Sequence, residues 1–153
     1  MGIALSNDRG GIVKFLLWVI VIAGVLYAGN YFFEQTPRYA LIQFKRAILF
    51  SNAKIGERYL DLDRFAADLP ESIAKGMDKE DLKRRLLSEI DAPYSKGIFN
   101  SVKKWDTLVV SIDVNGDKAS VEQDDGTVIE LWQTESGQWM ITNIRFGREE
   151  DLK

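Results

Sequence analysis

The chain has 153 residues, a formal net charge of −3, and neither cysteine nor histidine. These absences exclude disulfides, thiol nucleophiles, Ser-His-Asp and Cys-His catalysis and the usual zinc ligands. We expect no cofactor and no metal, and no residue is assigned a catalytic role. The mild negative charge also argues against a nucleic-acid partner, because nucleic-acid binding depends on neutralising phosphates.

The strongest signal is the uncharged segment FLLWVIVIAGVLYAGNYFF, Phe15 to Phe33. It approaches the roughly 20 apolar residues that a helix needs to cross a bilayer. Lys14 and Glu34 bracket it, and aromatic residues lie toward both of its ends, as in the interfacial belts of membrane helices. We therefore predict a single-pass transmembrane helix over 15–33 that contacts the lipid bilayer, after a short tail over 1–14.

The alternative for this segment is a cleaved signal peptide, with Arg9 and Lys14 as its basic region. The apolar run is long for that role, and no small-x-small cleavage site follows it. Basic residues before and after the span are nearly balanced, so charge alone does not orient it. A short tail, a span and one compact domain form the usual layout of a signal anchor, which favours a domain outside the cytoplasm.

The soluble part begins with a helical pattern over 36–53. Thr36 can cap this helix, and Pro37 fits its first turn, where a missing N–H costs nothing. Asn52 can cap a short second helix, AKIGERYL, which Gly56 weakens.

Two further helical patterns precede the sheet. Asp61 or Asp63 can cap the first, and a following proline interrupts or restarts it. Asp78 caps the second, DKEDLKRRLLSEI, whose spacing favours an ion pair between Glu80 and Arg84. The next segment, DAPYSKGIFNS, is predicted to be a loop.

From Trp105 onward the apolar residues alternate, which indicates strands. Four strands are predicted, and Asn115-Gly116 suits a type I′ hairpin turn between the first two. The result is an α+β fold: an N-terminal transmembrane helix, then a domain over 34–146 with helices packed on a bent antiparallel meander, then a polar tail over 147–153. The predicted strands are WDTLVVSIDV, KASVEQ, TVIELWQT and QWMITNIRF.

The helix P-x-x-A-L-x-x-F-x-x-A-I, the segment YLDLDRF and the meander GDKASVE…DGTVIELWQTESGQWMITNI together resemble the nuclear transport factor 2-like superfamily. They are similar in particular to small bacterial members of unknown function with an N-terminal membrane anchor. The resemblance covers about residues 36–146 and implies that the helices pack into the concave side of a bent sheet. Its motifs are packing patterns, and the superfamily hosts enzymes, ligand carriers and scaffolds, so the fold does not choose a function.

The resemblance implies a cone between helices and sheet, where related enzymes use acidic or histidine bases. Aromatic residues predicted for this cone could line a pocket for a small apolar or lipid-derived ligand, or fill the cone as core. The predicted cone lining is Phe44, Tyr59, Phe65, Trp132 and Trp139.

Three acids are candidates for a catalytic base: Asp61, Asp63 and Glu130. The first two lie where helix caps belong, and Glu130 sits between apolar residues on a strand, so we expect it to face water. The acidic runs QDDG and REED lack the spacing of a calcium loop, which argues against a metal site.

Two surfaces are candidates for partner contacts. Met140, Ile144 and Phe146 alternate with the inward-facing residues of the last strand, so we expect them on an open sheet face that a second copy of the chain or an envelope protein covers. Lys103 and Lys104 beside Trp105 are a second candidate patch, although the acidic domain as a whole argues against charge-driven binding to anionic lipid.

The favoured function is a non-enzymatic interaction or assembly module, anchored by one helix in a bacterial inner (cytoplasmic) membrane, with its domain on the extracytoplasmic side. A membrane-tethered domain that binds a small apolar ligand in the cone is the alternative. An isomerase- or dehydratase-like enzyme is the third possibility, which the lack of histidine disfavours.

Overall fold

The computed structural model describes residues 9–74, 76–92 and 97–147. The chain divides after Glu34 into two compact units. The first contains a single apolar helix and the second is an α+β domain.

Helix α1, Arg9–Glu34, has 26 residues. Every side chain described in it is solvent-exposed, including all of its large apolar ones. It is long and apolar enough to cross a membrane, by length and composition. The helix includes Arg9 to Lys14, so this part of the predicted tail is helical, and the rest of that tail lies outside the described residues.

Helix α2, Pro37–Leu49, starts where its capping signals predict. The Thr36 hydroxyl accepts a hydrogen bond from the Tyr39 amide at 3.2 Å, and Pro37 occupies the first turn. The helix buries one stripe at helical spacing, formed by Ala40, Leu41, Phe44, Ala47 and Ile48.

Helix α3, Ala53–Tyr59, is capped by the Asn52 side chain, which accepts from the Ile55 amide at 3.0 Å. Gly56 is buried, and a Cβ there would lie 2.8 Å from Cδ1 of Ile90. The glycine that weakens the helix therefore permits its close packing against the helix that carries Ile90.

Helix α4, Leu62–Asp68, is capped by Asp61, whose carboxylate accepts from the Arg64 amide at 3.1 Å. Of the two candidate caps, Asp61 has this role, and Asp63 lies inside the first turn. A short helix α5, Glu71–Ala74, restarts after Pro70.

Helix α6, Lys79–Asp91, is capped by Asp78 and buries three residues at helical spacing, Leu82, Leu86 and Ile90. The predicted ion pair between Glu80 and Arg84 is wrong. Glu80 instead binds Lys83 at 3.0 Å, and Arg84 binds Asp81, because the three-residue spacing also places opposite charges side by side on a helix.

The segment before the sheet differs from its prediction. A 3₁₀ helix, Ile98–Lys104, occupies part of the predicted loop, whose residues 93–96 lie outside the described chain. The first strand begins only at Ile112, whereas alternation predicts it from Trp105. Asp106 closes a turn by accepting from the Leu108 and Val109 amides, at 2.9 and 3.0 Å, and this turn prevents an extended strand.

Four antiparallel strands form one sheet in the order β1-β2-β3-β4, which confirms the predicted meander and the α+β class. The β1–β2 turn is not type I′. Its central residues are Gly116 and Asp117, and only the glycine has a positive φ, 62°, which suits a type II′ turn. The strands are β1 Ile112–Asn115, β2 Lys118–Glu122, β3 Val128–Gln133 and β4 Trp139–Arg145.

The sheet packs one face on the helices. Residues that oppose each other in the register share a face, and the buried ones are Ala119, Val121, Ile129, Leu131, Trp139, Ile141 and Ile144. The register of β3 and β4 shifts between Glu130 and Leu131, so that Thr142 is an extra residue on β4. This bulge reverses the alternation along β4.

Candidate functional site

Three of the five predicted cone residues belong to the hydrophobic core. Phe44, Phe65 and Trp139 are all buried. The Phe44 and Phe65 rings both pack on Phe99, at centroid distances of 5.5 and 5.8 Å, and Phe44 also contacts Trp105. Phe44 and Phe65 are therefore linked through Phe99 in a cluster of packed rings, as side chains of a protein core are.

The other two predicted cone residues lie elsewhere. Tyr59 is half-buried at the margin of the core, with its ring edge-on to Tyr39 at 6.1 Å. Trp132 lies on the sheet face turned away from the core, in register with Lys118 and Met140. Side chains alternate between the two faces along β3, so Trp132 shares a face with Glu130, the residue two positions earlier that is predicted to face water.

The predicted interface residues also separate. Met140 is half-buried on the outer face, but Ile144 is buried in the core and Phe146 packs against the core. The prediction for Ile144 and Phe146 is wrong because it assumes unbroken alternation. The bulge at Thr142 turns the residues after it to the opposite face.

The outer face of the sheet carries two neighbouring grooves, with volumes of about 760 and 620 Å³. The larger extends from α4 across residues of β1, β2 and β3, and the smaller extends from α4 toward the β3–β4 turn. Arg64, Trp132 and Thr142 line both. The larger groove also has charged residues of both signs around it, Asp68, Asp113, Lys118 and Glu130.

Arg64 and Trp132 form the boundary between the grooves. The guanidinium carbon lies 3.3 Å from the centre of the indole ring, in the geometry of a cation–π contact. The junction of α3 and α4 holds Arg64 in place, because the Asp61 amide donates to the Ile141 carbonyl at 2.8 Å at the edge of β4. The Asp61 carboxylate also lies 3.5 Å from the Arg64 guanidinium.

Glu130 anchors a polar cluster beside the tryptophan. Its carboxylate accepts from the Arg145 guanidinium at 2.6 Å and from the Asn143 side-chain amide at 3.5 Å. The Thr142 hydroxyl donates to the Glu130 carbonyl at 3.2 Å. The bulge places both Thr142 and Asn143 opposite Glu130. This side of the groove therefore depends on the bulge, which the alternation of apolar residues in the sequence does not predict.

The candidate catalytic acids all have structural partners. Asp61 caps α4, and Glu130 belongs to the cluster with Arg145. Asp63 binds Lys79 and Lys83, at 2.7 and 2.9 Å, and these hydrogen-bonded ammonium groups lower the pKa of Asp63 to about 2. Such a carboxylate stays ionised at neutral pH and is a weak proton acceptor.

Arg64 is the site residue that sequence reasoning missed, since its contact with Trp132 joins elements far apart in the chain. Within residues 9–74, 76–92 and 97–147, no group of three acidic side chains could hold a metal ion. No protein-family model, curated protein or solved structure matches the chain.

Proposed function

We propose that this protein is a single-pass membrane protein of a bacterial inner membrane, whose extracytoplasmic domain is a non-enzymatic interaction module of the nuclear transport factor 2-like class. The observation that carries the proposal is helix α1, an apolar helix exposed along its whole described length and joined to a compact domain. A helix that is apolar all round needs lipid or protein around it. Lipid is the simplest cover for a helix of this length.

The outer sheet face is the proposed partner surface. It presents Trp132 and Arg64 between two grooves, and tryptophan and arginine are among the residues enriched at the energetic centres of interfaces. Charges of both signs around the larger groove suit a polypeptide partner, either a second copy of this chain or another envelope protein. The structural partners of the three acids support the non-enzymatic part of the proposal, and the aromatic contacts of the core offer no support for a ligand in the cone.

The membrane part is tested by extraction and labelling of the full chain. The anchored protein should resist alkaline extraction, and its intact mass should include residues 15–33. The natural chain has no cysteine, so Lys54→Cys creates a unique label site at an exposed position. A membrane-impermeant maleimide should label it in intact spheroplasts. Loss of the apolar segment from the mature chain would establish a signal peptide, and labelling only after lysis would reverse the topology.

The partner surface is tested by photo-crosslinking in native membranes. A photoreactive residue at Ser120, an exposed residue of the larger groove, should give a crosslinked product. The matched control carries the same photoreactive residue at Lys54, which lies on α3 and lines neither groove. A product of twice the chain mass identifies a second copy, and another mass identifies an envelope protein. Equal yields at both positions, or none, would contradict the proposed surface.

Trp132→Ala makes the crosslinking test quantitative. Truncation to alanine of a side chain at the energetic centre of an interface costs about 2 kcal/mol or more of binding free energy, which lowers the affinity by roughly 30-fold. The crosslink yield from Ser120 should fall accordingly, while the domain keeps its urea unfolding midpoint. An unchanged yield would place the binding energy elsewhere.

A further inference from the structure

A turn before the first strand displays two apolar side chains to solvent. Leu108 is 73% exposed and Val109 is 85% exposed. Before the pair, Trp105 and Thr107 are buried, and after it Val110 is half-buried against the core. Two adjacent large apolar residues at a surface tip are a candidate contact site.

The turn is held in this conformation by four polar side chains. Arg38 donates to the carbonyls of Thr107, Leu108 and Val110, and Lys45 donates to the Trp105 carbonyl at 2.6 Å. The buried Gln123 side chain binds both the amide and the carbonyl of Asp106. The Asp106 carboxylate accepts from the two amides of the tip, and these hydrogen bonds lower its pKa. The apolar pair is thus presented by a braced turn.

Arg38, which hydrogen-bonds to this turn, lies only four residues after the end of α1. The Gln35 carbonyl accepts from the buried Trp139 indole at 3.1 Å, so the packed domain begins directly after α1 ends. Only Gln35, Thr36 and Pro37 separate Glu34 from Arg38, and such a segment spans at most roughly 14 Å. A membrane-inserted α1 therefore keeps Arg38, and the turn that Arg38 braces, near the membrane surface.

The charge next to the turn is basic. Lys103 and Lys104 end the 3₁₀ helix just before it, and Lys104 is exposed. Arg38 and Lys45 add two cations that contact the turn directly. The acidic charge of the whole domain therefore does not describe this surface, where four basic side chains outnumber the Asp106 carboxylate beside the apolar tip. That combination suits an interface with anionic headgroups.

We propose that the Leu108–Val109 turn is a second membrane contact, which inserts its apolar tip into the headgroup region of an anionic bilayer while the adjacent lysines bind lipid phosphates. This inference rests on the proposed membrane anchor. The contact would hold the domain in one orientation on the bilayer surface. It would thereby fix the direction in which the outer sheet face is presented.

The test uses the full chain in vesicles of phosphatidylethanolamine and phosphatidylglycerol, with an environment-sensitive fluorophore on single cysteines. Val109→Cys reports the turn, and Ile22→Cys reports the centre of α1. Phe50→Cys is the matched control, since Phe50 is apolar and 73% exposed but lies just beyond the other end of α2, a 13-residue helix about 20 Å long. Lipids spin-labelled near the headgroup or deep in the acyl chain serve as quenchers.

The expected result is deep quenching at position 22, shallow quenching at position 109 and little quenching at position 50. Leu108→Glu, with the probe kept at 109, should abolish the shallow quenching. Lys103→Gln and Lys104→Gln should each lower the ratio of docked to undocked turn by about fivefold. Vesicles of neutral lipid should lower the same ratio for the chain with both lysines intact.

Other results overturn the inference in distinguishable ways. Quenching at 22 but not at 109 leaves the anchor intact and removes the membrane contact. A blue-shifted probe at 109 without lipid quenching shows that protein covers the turn. Equal quenching at 109 and 50 removes any special role for the turn. No quenching at 22 overturns the proposed anchor, and the further inference with it.

Discussion

Replacement of Phe44 by alanine distinguishes a filled core from a ligand-lined cone. The side chain is fully buried, and its ring contacts Phe99 and Trp105 at centroid distances of 5.5 and 6.2 Å. Truncation of a buried phenylalanine costs about 3–5 kcal/mol, through lost burial and the cavity left behind. This is a large share of the roughly 5–15 kcal/mol that stabilises a typical domain.

The chain offers a close control in Phe50, which is 73% exposed. Phe50→Ala should change the free energy of unfolding by no more than about 0.5 kcal/mol. Phe44→Leu, which keeps most of the buried volume, should cost about 1 kcal/mol and remains measurable if the alanine variant does not fold.

The assay is urea unfolding of the detergent-solubilised full chain, followed by near-ultraviolet circular dichroism of its aromatic residues. With a denaturant dependence of about 1–3 kcal/mol per molar urea, Phe44→Ala should lower the midpoint by at least about 1 M. A midpoint equal to that of Phe50→Ala would refute the argument. It would mean that Phe44 borders an open cavity instead of packing in a core.

Three further predictions concern local structure. Asp63→Asn should destabilise the domain above about pH 4, because the pKa of Asp63 is lowered from 3.8 to about 2 and its stabilising contribution is lost as pH falls through that range and below it. Urea midpoints that differ equally at all pH values would contradict this. Gly116→Ala should lower the free energy of unfolding by about 1–2 kcal/mol through its positive φ alone, since nothing lies within 4 Å of the added Cβ. Ser51→Gly, at a φ of 52°, should not destabilise the domain in the same unfolding assay. Asn52→Ala should lower the free energy of unfolding by about 1 kcal/mol by removing the α3 cap, and Asn52→Asp should change it little. Equal urea midpoints for the two variants would argue against the cap.

The sequence by itself determined the local elements. Helix starts at Thr36, Asn52 and Asp78 follow from side chains that satisfy free amides of the first turn, and this chemistry acts over three residues. The long apolar helix and the four-strand meander also follow from periodicity and turn residues, which are local patterns. The α+β class could therefore be read directly from the chain.

Only the tertiary structure decided which face each strand residue occupies and which turns replace strands. The bulge at Thr142 sends Ile144 to the core, because one extra residue reverses alternation, and no local signal marks it. Arg38 and Gln123, distant in sequence, brace the turn at Leu108 that alternation predicts as strand. The contact of Arg64 with Trp132 likewise exists only once α4 lies beside the sheet. Both candidate surfaces of this protein arise from such long-range contacts, which is why pattern alone did not locate them.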